Sequence, residues 1–310
     1  MIDLLKGRAA RGSRAPHGDG ARIALAIEGG AMRGVVSAGM VAALEHLGLT
    51  HAFDAVYGSS AGAINGAYFL AGQAGLGSTI YSEDINNRQF IDLRRPLRGR
   101  PIVDLGFLLE HVARRLKPLD TSGVLASTSP LTVIATDVAA SSMSALRNFA
   151  SGDALFAALR AGATMPIVAG PPVSYAGRMY LDASLTQPIP VPVAEADGCT
   201  HILALLTRPT AGGPGSSWLD RWYVLPRLKR ISPGLAALYA NRRAPYAALL
   251  QEISAGRGPA GKAVVLGIRP AGPEVSRLER DASALKAACA RGFDGVMQIF
   301  AGGGLSTIPL

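Results

Sequence analysis

Cysteine is scarce in this sequence, which contains only Cys199 and Cys289. Each lies beside alanine or glycine in an apolar stretch, the setting of a small buried hydrophobe rather than of a disulfide. This scarcity excludes a disulfide-rich scaffold, and the lack of zinc-type Cys/His spacing excludes a zinc finger. We expect structural thiols in a cytoplasmic protein.

Long apolar runs are also missing. No stretch reaches the roughly 18 uncharged apolar residues that a membrane-spanning helix needs. Residues 1–20 lack the apolar core of a signal peptide. Any contact with a membrane is therefore expected to be peripheral.

Acidic residues are few: 22 Asp and Glu stand against 31 Lys and Arg, which gives a formal charge of +9. Such an excess favours an anionic partner, which could be nucleic acid, a lipid surface or an acidic ligand. No helix-turn-helix pattern or RNA-binding aromatic motif accompanies the charge, so nucleic acid is the least expected of the three. Hydrophobic residues make up 49% of the chain and charged ones 17%, which predicts a folded protein.

Apolar segments of strand length alternate with segments of helical periodicity. Strands are predicted at 22–27, 53–58, 131–136, 143–149, 178–182, 201–206 and 263–268. Helices are predicted after the first two strands and at 103–116, 152–162 and 275–293. Near-continuous apolar strands that alternate with helices predict an α/β fold with a mostly parallel sheet covered on both faces.

The chain is predicted to consist of a tail and one domain, and the domain contains an unusual basic segment. Residues 1–20 are rich in Gly, Arg and Pro without periodicity, which predicts a flexible basic tail. Residues 21–310 are expected to form one domain that ends in a strand and a helix. Within it, residues 208–250 predict a basic helical excursion that carries Trp218, Trp222, Tyr223 and Tyr239. This segment fits a peripheral contact with an anionic membrane and a solvated cover over a site equally well.

A predicted strand runs directly into the small-residue turn YGSSAGAING at 57–66, and a predicted helix follows. Gly58, Ser60 and Gly62 fit G-x-S-x-G in the strand-turn-helix context that a nucleophile elbow requires. A serine in such a turn adopts strained backbone geometry, so its neighbours two positions away must lack side chains. Ser60 is therefore the candidate nucleophile. Ser59 is out of frame and is expected to pack within the turn, and Ala61 follows the nucleophile.

A glycine loop, EGGAMRG at 28–34, follows the first predicted strand. Its backbone N–H groups are expected at the same edge of the sheet as Ser60, where they could stabilise an oxyanion. The candidate residues are Gly29, Gly30, Ala31, Met32, Arg33 and Gly34. The alternative is a dinucleotide-binding loop, but only two of the three fingerprint glycines are present.

A serine nucleophile needs a base, and the residues alone leave two candidates. His201 follows Ser60 in the order seen in hydrolases, but it opens a predicted strand, where a structural role is expected. Asp182 ends the short strand RMYLD and could face the same crevice. An ordinary aspartate is a weak base toward a hydroxyl, so Asp182 would have to be partly buried and to contact Ser60.

Four segments in this order resemble the patatin-like phospholipase family: EGGAMRG, GSSAG, RAGATMPIVAGPPV and YLDASLTQPIPV. The resemblance implies a three-layer α/β/α sandwich and a serine lipid acyl hydrolase with a Ser-Asp dyad. It implies Ser60 as nucleophile, Asp182 as base and the loop from Gly29 to Gly34 as oxyanion hole. It implies neither a metal nor an organic cofactor, and a lipid or acyl ester as substrate.

Two positions depart from the family pattern. Ala31 stands where the family has a third loop glycine, and Ala183 replaces the glycine after the dyad aspartate. Because alanine restricts positive φ, the loop geometry and the activity could be altered. A catalytically weak or silent lipid-binding or regulatory protein therefore stays open as an alternative, as does an acyltransferase or hydrolase that uses His201.

Overall fold

The computed structural model describes residues 1–210, 222 and 224–302. Eight strands form one mixed sheet in the order β5-β6-β3-β2-β1-β7-β8, with β4 paired to β3. The strands are β1 Ile23–Ile27, β2 Ala55–Ser59, β3 Leu131–Asp137, β4 Ser142–Leu146, β5 Val173–Tyr175, β6 Arg178–Asp182, β7 His201–Leu205 and β8 Val264–Ile268. The pairs β1–β2, β1–β7, β2–β3 and β7–β8 are parallel, and the pairs β3–β4, β3–β6 and β5–β6 are antiparallel.

Helices cover both faces of this sheet. They are α1 Ile2–Ala10, α2 Gly34–His46, α3 Ala61–Leu70, α4 Ala74–Glu83, α5 Thr121–Ala126, α6 Gly152–Ala163, α7 Val191–Ala196, α8 Leu225–Ile231, α9 Pro233–Asn241, α10 Arg243–Ser254 and α11 Ala282–Phe300. A π-helical segment spans Phe107–Leu116, and short 3-10 turns span Ala31–Arg33, Arg95–Arg98 and Ala183–Leu185. Within the described ranges, no helix is both long and apolar enough to cross a bilayer.

Strand β1 shows why the fold has three layers. All five of its residues are buried. Its isoleucines and Leu25 belong to the larger apolar core, whereas Ala24 and Ala26 belong to a second core on the opposite face. Because successive strand residues point to opposite faces, a strand that is apolar throughout must be covered on both sides. The predicted three-layer α/β/α sandwich with a mostly parallel sheet is confirmed.

The prediction of a flexible tail over residues 1–20 is wrong. Residues Ile2–Ala10 form helix α1, and Arg8 on this helix is fully buried. Its guanidinium donates to both carboxylate oxygens of Asp19 at 2.7 Å and to Asp54 at 2.8 Å. The ion pair with Asp19 holds the end of this segment against α1, and the ion pair with Asp54 fixes the segment to the start of β2. The local sequence did not predict the second pair, because Asp54 is distant along the chain.

Other boundaries differ from the expectations in detail. The C-terminal helix begins at Ala282 rather than near 275, because the Asp281 side chain accepts a hydrogen bond from the Ala284 amide at 2.7 Å and caps the helix there. The short strand Val173–Tyr175 was not predicted. Of the basic segment 208–250, the described part contains α8, α9 and most of α10, while Trp218 and Tyr223 lie outside the described residues.

Candidate active site

Ser60 occupies a strained turn between β2 and α3. Its backbone has φ 54° and ψ −128°, a region that non-glycine residues rarely adopt. A Cβ at position 58 would lie 2.3 Å from the Cα atom of Ala63, and one at position 62 would lie 2.4 Å from the Ile27 carbonyl oxygen. Both glycines are thus required by close backbone packing, which holds Ser60 at the N-terminus of α3.

The glycine loop packs directly on this turn. A Cβ at Gly29 would lie 2.3 Å from the Ser59 carbonyl oxygen and 2.6 Å from the Cβ atom of Ser60. Ala31 adopts a positive φ of 53° despite its methyl group. Replacement of the family's glycine by alanine therefore leaves the loop in a conformation that glycine adopts more readily. Ala183 is buried and has no positive φ, so its methyl group is accommodated without backbone strain.

The amides of the glycine loop divide into two groups. Those of Met32, Arg33 and Gly34 already donate to backbone carbonyls, the first to Arg277 at 3.2 Å. Those of Gly29, Gly30 and Ala31 donate to no acceptor among the described residues. Only the first half of the predicted loop therefore offers open donors.

Strands β2 and β6 meet end to end beside Ser60. Ala135 of β3 pairs with both β4 and Asp182 of β6, so β4 and β6 lie on opposite edges of β3. β4 also pairs with Ile134, whose other partner is Ser59, so β2 lies on the same edge as β6. The two strands run in opposite directions and end opposite consecutive positions of β3. This topology brings Asp182 next to Ser60.

Asp182 is a fully buried carboxylate. Its amide donates to the Thr164 carbonyl at 2.9 Å, and its Oδ1 accepts from the Ser184 amide at 2.7 Å. Burial raises the pKa of Asp182 above the ordinary range, while hydrogen bonds from Ser184 and Ser60 and the charge of Arg277 act in the opposite direction. The Ser60 hydroxyl thus lies near this carboxylate, although Oδ2 makes no hydrogen bond of ordinary geometry with any described residue.

His201 lies at the other end of the sheet. It pairs with Ile23 at the start of β1, whereas Gly58 pairs with Ile27 at the end of that strand. At about 3.3 Å per residue, the five-residue strand separates the two positions by roughly 13 Å along its axis. The Nδ1 atom of His201 contacts the Thr200 hydroxyl at 2.9 Å. No histidine lines the cavities around Ser60 within the described part of the chain.

Two cavities meet at Ser60 and Asp182. The basic chamber, of about 90 Å³, contains four arginines and two tyrosines: Arg33, Arg208, Arg242, Arg277, Tyr239 and Tyr246. The apolar chamber, of about 60 Å³, is lined mainly by aliphatic and aromatic side chains, among them Ile64, Ile80, Ile85, Phe90, Leu105 and Leu108. Met165 and Val168 line both chambers. The candidate nucleophile therefore stands between a cationic and an apolar compartment.

The model of the patatin-like phospholipase family matches residues 25–195, more than half of the chain. This chain belongs to the patatin-like phospholipase family. The match contains Ser60, Asp182 and the whole glycine loop, so the region shared with the family includes every predicted site residue.

Two individual proteins are also similar to this patatin-like chain. The uncharacterized protein YjjU of Escherichia coli (strain K12) is 28% identical over 213 residues, which cover 65% of this chain and 57% of YjjU. The chain thus matches little more than half of that relative's length. The crystal structure of VipD from Legionella pneumophila aligns with 91% of this chain and 67% of its own at 10% identity and a TM-score of 0.38, a likeness too distant to support an argument.

Arg33, the basic residue of the glycine loop, is bonded to other side chains of this patatin-like chain. Arg33 is buried, donates to Glu274 Oε1 at 2.7 Å and to the Thr207 hydroxyl at 3.2 Å. Burial lowers its pKa, and the nearby Arg208 and Arg277 act in the same direction. Arg33 therefore forms a structural ion pair with Glu274, and it also lines the basic chamber.

Two buried networks behind the glycine loop were not predicted. Asn65 donates to the Gly34 carbonyl at 2.9 Å and to the Ser37 hydroxyl at 3.1 Å, and it accepts from Tyr81 at 3.0 Å. Asn65 lies within the quoted motif YGSSAGAING, and a polar side chain in an otherwise apolar helix was the available signal. The second network centres on Glu28, which accepts hydrogen bonds from Thr207 and Tyr246, residues distant from it along the chain.

Proposed function

We propose that this protein is a serine lipid acyl hydrolase of the phospholipase A or esterase type. Asp182 takes the hydroxyl proton as Ser60 Oγ attacks the acyl carbonyl carbon, and the proton then passes to the departing alcohol. Water attacks the resulting acyl-enzyme, Asp182 accepts its proton, and the carboxylic acid leaves as the Ser60 hydroxyl is restored. The open amides of Gly29, Gly30 and Ala31 are the proposed donors to the oxyanion.

One observation supports this proposal most directly: the buried carboxylate of Asp182 lies beside a serine held in a strained turn, under open backbone donors. Burial raises the pKa of this carboxyl group, which makes it a stronger base than an exposed aspartate. The separation of His201 from the site argues against the histidine-dependent alternative.

The two chambers suggest how an amphipathic ester would bind. An acyl chain fits the apolar chamber, since burial of each methylene there is worth about 0.8 kcal/mol. An anionic group on the alcohol side fits the basic chamber, because guanidinium groups bind phosphates and carboxylates well. We infer a lipid ester that carries an anionic group near the scissile bond. The cytoplasmic location expected from cysteine usage stays a prediction, and nucleic acid is not proposed as a partner.

Two substitutions test the chemistry. Ser60→Ala and Asp182→Asn should each lower hydrolysis of acyl esters by at least about 1,000-fold, because both remove groups that act as one unit in the transition state. Ser78→Ala and His201→Ala are the matched controls and should keep turnover within about threefold. Circular dichroism of every variant checks folding. Full turnover in Asp182→Asn would refute the dyad, and loss in His201→Ala would favour the histidine-dependent enzyme.

A second candidate, a silent lipid-binding protein, is favoured by the positive φ of Ala31 and by the lack of an ordinary hydrogen bond between Ser60 and Asp182 Oδ2. A fluorophosphonate probe separates the two functions. The hydrolase proposal expects covalent labelling of Ser60 that Ser60→Ala abolishes. An unlabelled wild type that still binds lipid would establish the silent alternative.

A further inference from the structure

A short basic segment, residues 88–100, projects beside the apolar chamber. We call it the arginine loop: it contains Arg88, Arg94, Arg95, Arg98 and Arg100. Asp92 is its single acidic residue. Its outer half is exposed, and its N-terminal end is anchored in the core by Phe90 and Ile91, both of which are buried. The loop thus has a fixed base and an exposed tip.

Arg95 keeps this loop in one shape. Its guanidinium donates to four backbone carbonyls, those of Arg88 at 3.1 Å, Gln89 at 2.6 Å, Phe90 at 3.2 Å and Ile102 at 3.3 Å. These bonds join both ends of the loop. These bonds give the exposed tip a defined conformation, so its side chains form an ordered surface.

The tip combines exposed leucine with unpaired positive charge. Leu93 is 67% exposed and Leu97 is 88% exposed, the largest value among the large hydrophobic residues that the structure describes. Arg94, Arg98 and Arg100 are exposed, and their side chains have no hydrogen bond or ion pair with any described residue. Exposed leucine among cationic side chains is the composition of an interfacial membrane-binding element.

The base of the loop leads to the candidate site. Phe90, inside the loop, and Val103, just beyond it, line the apolar chamber. The Val103 amide donates to the Val168 carbonyl at 2.9 Å, and Val168 lines both chambers. A surface bound at the tip would therefore lie next to the compartment that we assign to the acyl chain.

We propose that the arginine loop docks this protein on an anionic lipid bilayer. Leu93 and Leu97 enter the interface between headgroups and acyl chains, and the guanidinium groups of Arg94, Arg98 and Arg100 contact lipid phosphates and carboxylates. Charge complementarity favours an anionic bilayer as the partner. The unpaired arginines match its anionic headgroups, and the exposed leucines match its acyl chains. The assignment of the neighbouring chamber rests on the proposed function, whereas the docking itself does not require turnover.

Vesicle sedimentation of the full chain tests the proposal. The probes are vesicles of pure phosphatidylcholine and vesicles that contain a third of phosphatidylserine. We expect binding to the anionic vesicles, which Leu93→Gln/Leu97→Gln and Arg94→Gln/Arg98→Gln/Arg100→Gln each weaken by about tenfold or more. The second variant should also lose most of the dependence on phosphatidylserine and on salt.

Matched controls separate the loop from the overall charge. Lys6→Gln/Lys262→Gln/Lys286→Gln removes three exposed positive charges elsewhere, and Leu116→Gln/Leu125→Gln removes two exposed leucines elsewhere. Both should bind anionic vesicles within about twofold of wild type. If the lysine control weakens binding as much as the arginine variant, the loop is not the docking element. Equal binding of wild type to both kinds of vesicle would also overturn the proposal.

Activity assays distinguish this failure from failure of the proposed function. Hydrolysis of a water-soluble short-chain ester should be unaffected by the loop variants, while hydrolysis of anionic vesicles should fall in parallel with binding. If wild type sediments with vesicles but hydrolyses neither substrate, the docking proposal stands and the hydrolase proposal fails. If wild type hydrolyses the soluble ester but does not sediment with vesicles, the hydrolase proposal stands and the docking proposal fails.

Discussion

The two chambers beside Ser60 are lined by opposite kinds of side chain. The basic chamber contains arginines contributed by distant parts of the chain, from Arg33 to Arg277. The apolar chamber is lined mainly by apolar side chains of α3, of α4 and of residues 85–108, with further ones from residues 163–169. Both share Ser60 and Asp182. Under the proposed function, the acyl chain lies in the apolar chamber and the charged alcohol portion in the basic chamber, with the scissile carbonyl between them.

The largest expected change in substrate preference comes from filling the apolar chamber. Ile80→Trp places an indole in the proposed acyl site, so kcat/KM for a dodecanoyl ester should fall on the order of 100-fold, because several methylenes lose their burial. An acetyl ester needs little of that space and should be hydrolysed within about threefold of wild type. Steady-state kinetics on the two esters measures the difference.

The control lies on the same helix. Leu76 of α4 is 39% exposed and does not line the chamber, so Leu76→Trp should leave both esters unaffected. An equal loss on both esters in Ile80→Trp would mean that the indole disturbs Ser60 itself and that the chamber is not an acyl site.

The basic chamber should contribute selectivity of a smaller size. Arg277 lines it and makes no side-chain hydrogen bond or ion pair with any described residue. Arg277→Gln should lower kcat/KM about tenfold for an ester with a phosphate on the alcohol side, because a hydrogen bond to a charged group contributes about 1.5–3 kcal/mol. A neutral glycerol ester should react at nearly the wild-type rate. Arg280→Gln, three residues away and exposed, is the control, and equal losses on both esters would contradict the assignment.

The smallest expected effect is on stability, at the carboxylate where the chambers meet. Because burial raises the pKa of folded Asp182, protonation favours the folded state, and stability is lost as the pH rises through that pKa. Asp182→Asn removes the buried charge and should raise the free energy of unfolding at neutral pH by about 1 kcal/mol. The gain should vanish below about pH 4, where the aspartate is protonated in both states.

Thermal unfolding of wild type and Asp182→Asn across this pH range measures that gain. If the variant is less stable than wild type at neutral pH, the ionised carboxylate stabilises the folded state, and the prediction is contradicted.

The sequence predicted those parts of the candidate site whose geometry depends on residues adjacent along the chain. Gly58, Ser60 and Gly62 are adjacent along the chain, so the elbow could be inferred from one strand, one turn and one helix. The glycine loop could be inferred in the same way, but which of its amides stay open could not, because Met32 donates to the distant Arg277.

Features that depend on distant strands were harder to infer. The residues around Asp182 did not distinguish it from an ordinary aspartate at the end of a strand. Its position beside Ser60 depends on β6 running antiparallel into the end of β2. Only the family resemblance pointed to Asp182 as the base. The buried ion pair between Arg8 and Asp54 joins remote segments, and the arginines of the basic chamber come from remote segments as well. Composition showed the positive charge but not where it is placed.

The most direct test of the central claim is the pH dependence of Ser60 labelling by a fluorophosphonate. If Asp182 is the base, the rate should fall as the pH decreases through a pKa above the ordinary aspartate range, and Arg277→Gln should move this fall to higher pH because it removes a nearby positive charge. Asp182→Asn should be labelled slowly at every pH. Labelling of Asp182→Asn at the wild-type rate, with the wild-type pH profile, would contradict the account.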